Sequence, residues 1–212
     1  MMLNRSINRR TFSSFIAVSS AALGMSSAHA AAASVGQAAP AFTALDAMGK
    51  SHKLADFKGK LVVLEWTNPG CPFVVKHYGG NMQALQKDFT AKGVVWLSVN
   101  STAQDSRDYL APANLMAWKA EKKARATAVL VDDSGAIGQL YGAKTTPHMY
   151  IINPQGLLVY AGAIDSVPTA RVDDIKTATN YVRQGLTEVL GGTAISTAST
   201  RPYGCSVKYK DA

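Results

Sequence analysis

Two thiols carry the chemistry of this chain: Cys71 and Cys205 are the only cysteines among 212 residues. A thiolate attacks disulfide sulfur and peroxide oxygen, whereas a buried free cysteine serves as an inert small hydrophobe. The neighbours of Cys71 decide between these. Leu61-Val62-Val63-Leu64 is short and β-branched enough for a strand buried on both faces, Asn68-Pro69-Gly70 supplies a turn, and Pro72 suits the first position of a helix. Cys71 then stands at a helix N-terminus, where unpaired amides and the helix dipole favour the thiolate. Cys205 lies in Pro202-Tyr203-Gly204-Cys205, near the end of the chain, with Tyr203, Val207 and Tyr209 as apolar anchors for folding that segment back. Closure entropy grows only logarithmically with loop length, so such a return costs little. A Cys71–Cys205 bridge would enclose most of the domain, and chain entropy alone would make it worth ~5 kcal/mol before strain.

The elements that must position these thiols follow from periodicity. A short strand over 40–46 and a loop at 53–60 precede the Leu61 strand; Met82, Leu85 and Phe89 give a helix to Lys92, capped by Asn81 and kinked from its predecessor at Gly79-Gly80. Strands follow at Val94–Asn100 and Ala128–Asp132, with a polar loop over 101–111 placed to overhang the thiol and a helix from Pro112 to about Lys123 between them. Ala136–Tyr141 forms a short helix closed by Gly142, and Asn153-Pro154-Gln155-Gly156 is a turn signal before the apolar run Leu157–Ala161, a hairpin in the resemblance named below. Val172, Ile175, Ala178, Val182, Leu186 and Val189 predict one amphipathic helix over Arg171–Leu190. Alternating strands and helices, then a hairpin and a terminal helix, give an α/β domain with a mixed central sheet.

Strand, loop, cysteine and helix in this order resemble the active-site region of thioredoxin-like proteins, in the redoxin branch that includes AhpC/TSA (thiol-specific antioxidant) domains. The resemblance covers residues 35–190, leaving 191–212 as a tail that carries Cys205. It implies a thioredoxin-like fold, a cis peptide at Thr146-Pro147 opposite Cys71 with these two residues contacting substrate, and a buried proton-relaying carboxylate at Glu65 beneath the thiol. This chain departs from both family motifs. Thioredoxins carry C-x-x-C, but here the second position is Val74; typical peroxiredoxins carry P-x-x-x-T-x-x-C, where this chain has Leu64 and Asn68. Thioredoxin-like copper chaperones use C-x-x-x-C, where this chain has Val75, so no metal is implied. His77 lies about 240° around an ideal helix from Cys71 and His148 directly follows Pro147; both read as structural.

Composition separates the first thirty residues from the rest. Arg5, Arg9 and Arg10 precede an apolar, small-residue stretch ending in Ala28-His29-Ala30, a cleavable signal peptide over 1–30 whose Asn8-Arg9-Arg10-Thr11-Phe12 resembles a twin-arginine export signal. That stretch is too short and too rich in serine and glycine for a membrane anchor. Its removal leaves 19 basic against 14 acidic side chains, +5, spread along the chain without the basic-aromatic interleaving of nucleic-acid binders. The expectation is an exported, periplasmic thiol oxidoreductase needing no cofactor, in which Cys71 is the nucleophile and Cys205 its resolving partner. A protein disulfide or a peroxide is the substrate and a thiol the reductant. A non-catalytic binding protein on the same scaffold stays open, and a metal chaperone behind it.

Overall fold

The computed structural model describes residues 1–2 and 32–210. All but the first two residues of the expected signal segment lie outside these. A seven-stranded sheet forms the centre: β1 (Thr43–Asp46), β2 (Ser51–Lys53), β3 (Val62–Trp66), β4 (Val95–Asn100), β5 (Ala128–Val131), β7 (His148–Ile152) and β8 (Leu158–Gly162), in the order β2-β1-β5-β4-β3-β7-β8. β3, β4 and β5 run parallel, while β7, β8, β1 and β2 pair antiparallel with their neighbours. This is the expected mixed α/β sheet, with β3, the strand that leads to Cys71, held between β4 and β7.

Strand alternation sorts the core into two layers. Val63, Trp96, Met149 and Ile151 face helices α2 (Asn81–Thr90) and α5 (Tyr181–Leu190), whose Met82, Leu85, Phe89, Val182 and Leu186 cover them. Leu64, Trp66, Leu97, Val99 and Tyr150 face the opposite side, under Ile137 and Tyr141 of α4 (Ala136–Tyr141). The α3 helix (Pro112–Glu121) buries only Leu115 fully. Among the described residues no helix is long and apolar enough to cross a membrane.

Two expectations are corrected. The segment 171–190 is not one helix: a 3-10 turn over Val172–Lys176 stops, Asp165 bridges Asn180, and α5 starts afresh with the Asn180 side chain accepting from the Arg183 amide. Asn81 is the first residue of α2 and not its cap; Gly80, at φ 134, holds that place, and the Gln83 side chain accepts from its amide. The tail folds back with Tyr203 and Val207 packed against the core, and backbone pairing adds to that anchoring. Residues 198–200 lie along β8, Cys205–Ser206 (β9) pairs antiparallel with β6 (Thr145–Thr146), and Tyr209 donates to the Ala143 carbonyl. The tail thereby covers an edge strand and closes on the site.

Candidate active site

The loop after β3 is shaped by Asn68. Its Oδ1 accepts from the Gly70 amide at 2.8 Å, its Nδ2 donates to Thr102 Oγ1 at 3.2 Å, and its carbonyl accepts from the Cys71 amide at 3.0 Å. Cys71 is the N-cap of α1 (Pro72–His77), with Pro72 at the first helical position, as expected. Directly opposite, Thr146–Pro147 is a cis peptide. The Cys71 thiol donates to the Thr146 carbonyl at 2.9 Å, and the Thr146 hydroxyl oxygen is buried without a hydrogen-bond partner of its own.

Register brings in the second thiol. Thr146 is the residue that pairs with Cys205, so the sulfurs of Cys71 and Cys205 lie 2.8 Å apart, both as free cysteines. That is beyond the ~2.05 Å of a disulfide, so the two sulfurs are adjacent without being bonded. Gly204 makes the approach possible: at φ 144 it rests on the Thr146 carbonyl, where any Cβ would collide with that oxygen. Burial opposes ionisation of Cys71, but hydrogen bonds with the Cys205 thiol and the amides of Val74 and Cys205 outweigh it and hold its pKa below the ordinary thiol value. Burial and the neighbouring Cys71 push Cys205 the other way. The pair is therefore divided into a thiolate-prone sulfur, 3% exposed, and a half-buried thiol that stays protonated.

Glu65 is fully buried on the α2 side of β3, two residues from Val63 and on the same face. It accepts from Tyr78 Oη at 2.7 Å, Trp96 Nε1 at 2.7 Å, Ser98 Oγ at 3.1 Å and Gln86 Nε2 at 3.1 Å. Burial raises its pKa against these four donors. None of the four is Cys71. Both histidines are buried: His148 lies 3.1 Å from Tyr150 Oη, and His77 Nδ1 lies 2.8 Å from Asn81 Nδ2. Burial, first of all, lowers each to about 4.

The residues that the sequence reading passed over are Lys76 and Asp165. They lie beside the site, sealed from solvent, and meet the tail through Tyr203. A lysine between Val75 and His77 on a short helix reads as solvated, and an aspartate in a loop reads the same way, so neither carried a signal.

Set against known proteins, residues 35–161 match the model of the AhpC/TSA family. The chain belongs to that family. The match ends before α5 and the Cys205 tail. No curated protein matches the chain. Among solved structures, a hypothetical protein from Sinorhizobium meliloti 1021 is similar at TM-score 0.75 and 23% identity, over 86% of this chain and 98% of that one. An uncharacterized conserved protein from Geobacillus kaustophilus follows at 0.72 and 24%, over 84% and 94%. A putative thiol:disulfide interchange protein DsbE from Chlorobium tepidum is 26% identical at TM-score 0.50, over 61% of this chain and 85% of that one. The fold of this AhpC/TSA member is thioredoxin-like.

Proposed function

We propose that the protein is an exported thiol-disulfide oxidoreductase that cycles between a Cys71/Cys205 dithiol and a Cys71–Cys205 disulfide. The observation that carries this is the 2.8 Å approach of the two sulfurs across β6 and β9. Cys71 thiolate attacks one sulfur of a substrate disulfide and expels the other as a thiol. Cys205 then attacks the Cys71 sulfur of the mixed disulfide, passing its proton to the departing substrate sulfur and leaving the internal disulfide, which a dithiol reductant returns to two thiols with two electrons. Thr146 and Pro147, the edge held here by the tail, would receive the substrate segment once β9 lifts. Export is supported by Arg9-Arg10 and Ala28-His29-Ala30.

Disulfide exchange is favoured over peroxide reduction by the fate of Asn68. It stands where peroxiredoxins of the usual pattern carry a hydroperoxide-orienting threonine, and both its side-chain atoms are engaged with Gly70 and Thr102. Intact-mass analysis with thiol blocking, after one equivalent of glutathione disulfide or of hydrogen peroxide, tests the reading. The expected product is loss of two hydrogens and of both free thiols, with Cys205→Ser halting at a glutathione adduct on Cys71. Two free thiols after either oxidant would sink the reading, and reaction with peroxide alone would move the protein to the peroxidase class.

A further inference from the structure

Lys76, on α1 five residues beyond Cys71, has a side chain with 0% exposure, although an ammonium is among the costliest groups to take from water. Its Nζ donates to the Val167 carbonyl at 3.0 Å and to the Tyr203 hydroxyl at 3.4 Å, and it lies 3.4 Å from Asp165 Oδ2. That last contact is an ion pair out of hydrogen-bond alignment, so Oδ2 accepts nothing. Asp165 Oδ1 accepts from the Val167 amide at 3.0 Å and from the Tyr203 hydroxyl. His77 Nε2 completes the cluster, 3.2 Å from the Tyr203 hydroxyl and 3.8 Å from Asp165 Oδ2. One oxygen touches all three groups. It belongs to the tail, two residues before Cys205.

We propose that Lys76, His77 and Asp165 form a buried socket for the Tyr203 hydroxyl, and that filling the socket positions Cys205 against Cys71. The inference deepens the thiol-disulfide reading above and rests on it. Hydrogen bonds to charged groups in a dry site are stronger than neutral ones, so this anchor outweighs the tail's other tyrosine, Tyr209, which donates to a neutral backbone carbonyl at 2.7 Å. It is also closer to the thiol. Only Gly204 separates Tyr203 from Cys205, and Gly204 is itself pressed on the Thr146 carbonyl, so the position of the hydroxyl is passed to the sulfur through a short, constrained stretch of chain. Packing alone would not need the oxygen: the ring's edge contact with Phe73, 5.8 Å between centroids, is one that phenylalanine would make as well. Without the hydroxyl, the buried Asp165 carboxylate keeps a single hydrogen bond, from the Val167 amide. Tyr203 is a positioning residue, acting on the reaction through Cys205.

The test is the equilibrium constant for the Cys71–Cys205 disulfide against glutathione, measured beside the Tm of each reduced protein. Tyr203→Phe should lower that constant about tenfold, the loss of one charge-assisted hydrogen bond, which makes the couple ~30 mV more oxidising. Tyr203→Leu should move it at least as far and gives the same reading if the phenylalanine variant folds poorly. Tyr209→Phe should move it by less than about threefold, in keeping with a neutral hydrogen bond. A Tyr203→Phe constant equal to that of the parent, or an equal shift in Tyr209→Phe, overturns the socket while leaving the thiol pair standing. Absence of the disulfide in the parent protein overturns the underlying reading and the socket with it.

Discussion

Glu65 and Asp165 are both buried carboxylates, and they are satisfied in opposite ways. Glu65 receives four neutral donors, all from elements of the central fold, and has no cation beside it. Asp165 has a buried ammonium and an imidazole beside it, one oxygen left without a hydrogen bond, and a key donor supplied by the tail. The first arrangement is complete without residues 198–210 and belongs to the stability of the domain. The second is complete only when the tail is docked, so its free energy is expressed in where Cys205 sits. A polar network closed within one rigid unit stabilises that unit; a network closed by a mobile piece sets the position of the piece.

The largest effect should separate the two carboxylates directly. Glu65→Ala strands four buried donors around a cavity and should cost roughly 3–5 kcal/mol of unfolding free energy. Asp165→Ala should cost less, about 1–2 kcal/mol, because the tail can lift and let water reach Lys76. Urea unfolding of both variants checks this, and equal losses would break the distinction. Next comes Gly204→Ala. The added Cβ meets the Thr146 carbonyl, so β9 cannot dock in register, and disulfide formation should fall about a hundredfold, ~3 kcal/mol, with the unfolding midpoint of the reduced domain nearly unchanged. A disulfide that still forms at the parental ratio would show that the register seen here is not the one that reacts.

What was legible in the sequence was local. The β-branched run of β3, the Asn-Pro-Gly turn and Pro72 as helix starter each declare themselves within a few residues and sufficed to place Cys71 at a helix N-terminus, whereas the hairpin after Ile152 and the place of Thr146-Pro147 opposite the thiol came from the resemblance to thioredoxin-like proteins. The break before α5 was hidden because Val172 and Ile175 continue the helical period across it, while the bridge of Asp165 to Asn180 that interrupts the chain is a tertiary contact. Lys76 and Asp165 were hidden for a related reason. A charged residue is read as solvated unless its partner is known, and theirs comes from the far end of the chain.

Acid should act through two buried histidines, His77 in the socket and His148 beside Tyr150 on the other face of the sheet. His77 and His148 are neutral and buried, with pKa lowered from 6.5 to about 4, so between these values the unfolded chain binds the more protons and stability falls as pH falls. Each histidine should remove about 1 kcal/mol per pH unit across that window. Glu65, raised by burial, has the opposite sign and loses stability as pH rises through its folded value; it is common to all variants compared and cancels from their difference. His148→Gln should therefore show a shallower fall from pH 6.5 to 5 than the parent. His77, in the socket, should release the tail over the same window, read as faster alkylation of the Cys205 thiol relative to the parent at pH 7, after allowance for the thiolate fraction. A His148→Gln protein with an unchanged slope would mean that its imidazole is already hydrated in the folded state.

The smallest effect is expected from Glu65→Gln, and it bears on what Glu65 is for. The amide oxygen can take over from Oε2, accepting from Trp96 and Gln86, while the Ser98 hydroxyl is free to rotate; the amide nitrogen then faces Tyr78 Oη, which can accept where it formerly donated. The substitution also removes a charge that burial disfavours, so stability at pH 7 should change by less than about 1 kcal/mol. Because no hydrogen bond of Glu65 reaches Cys71, the rate of disulfide exchange should change by less than about threefold, the range of a neutral hydrogen-bond adjustment. A proton relay beneath the thiol predicts something else: an exchange rate at least tenfold slower at unchanged Tm, with one inflection missing from the pH profile. Stopped-flow exchange with glutathione disulfide between pH 5 and 8 distinguishes the two. The slow outcome would make Glu65 part of the reaction and dissolve the contrast with Asp165; the fast one leaves it a carboxylate solvated by the protein in place of water.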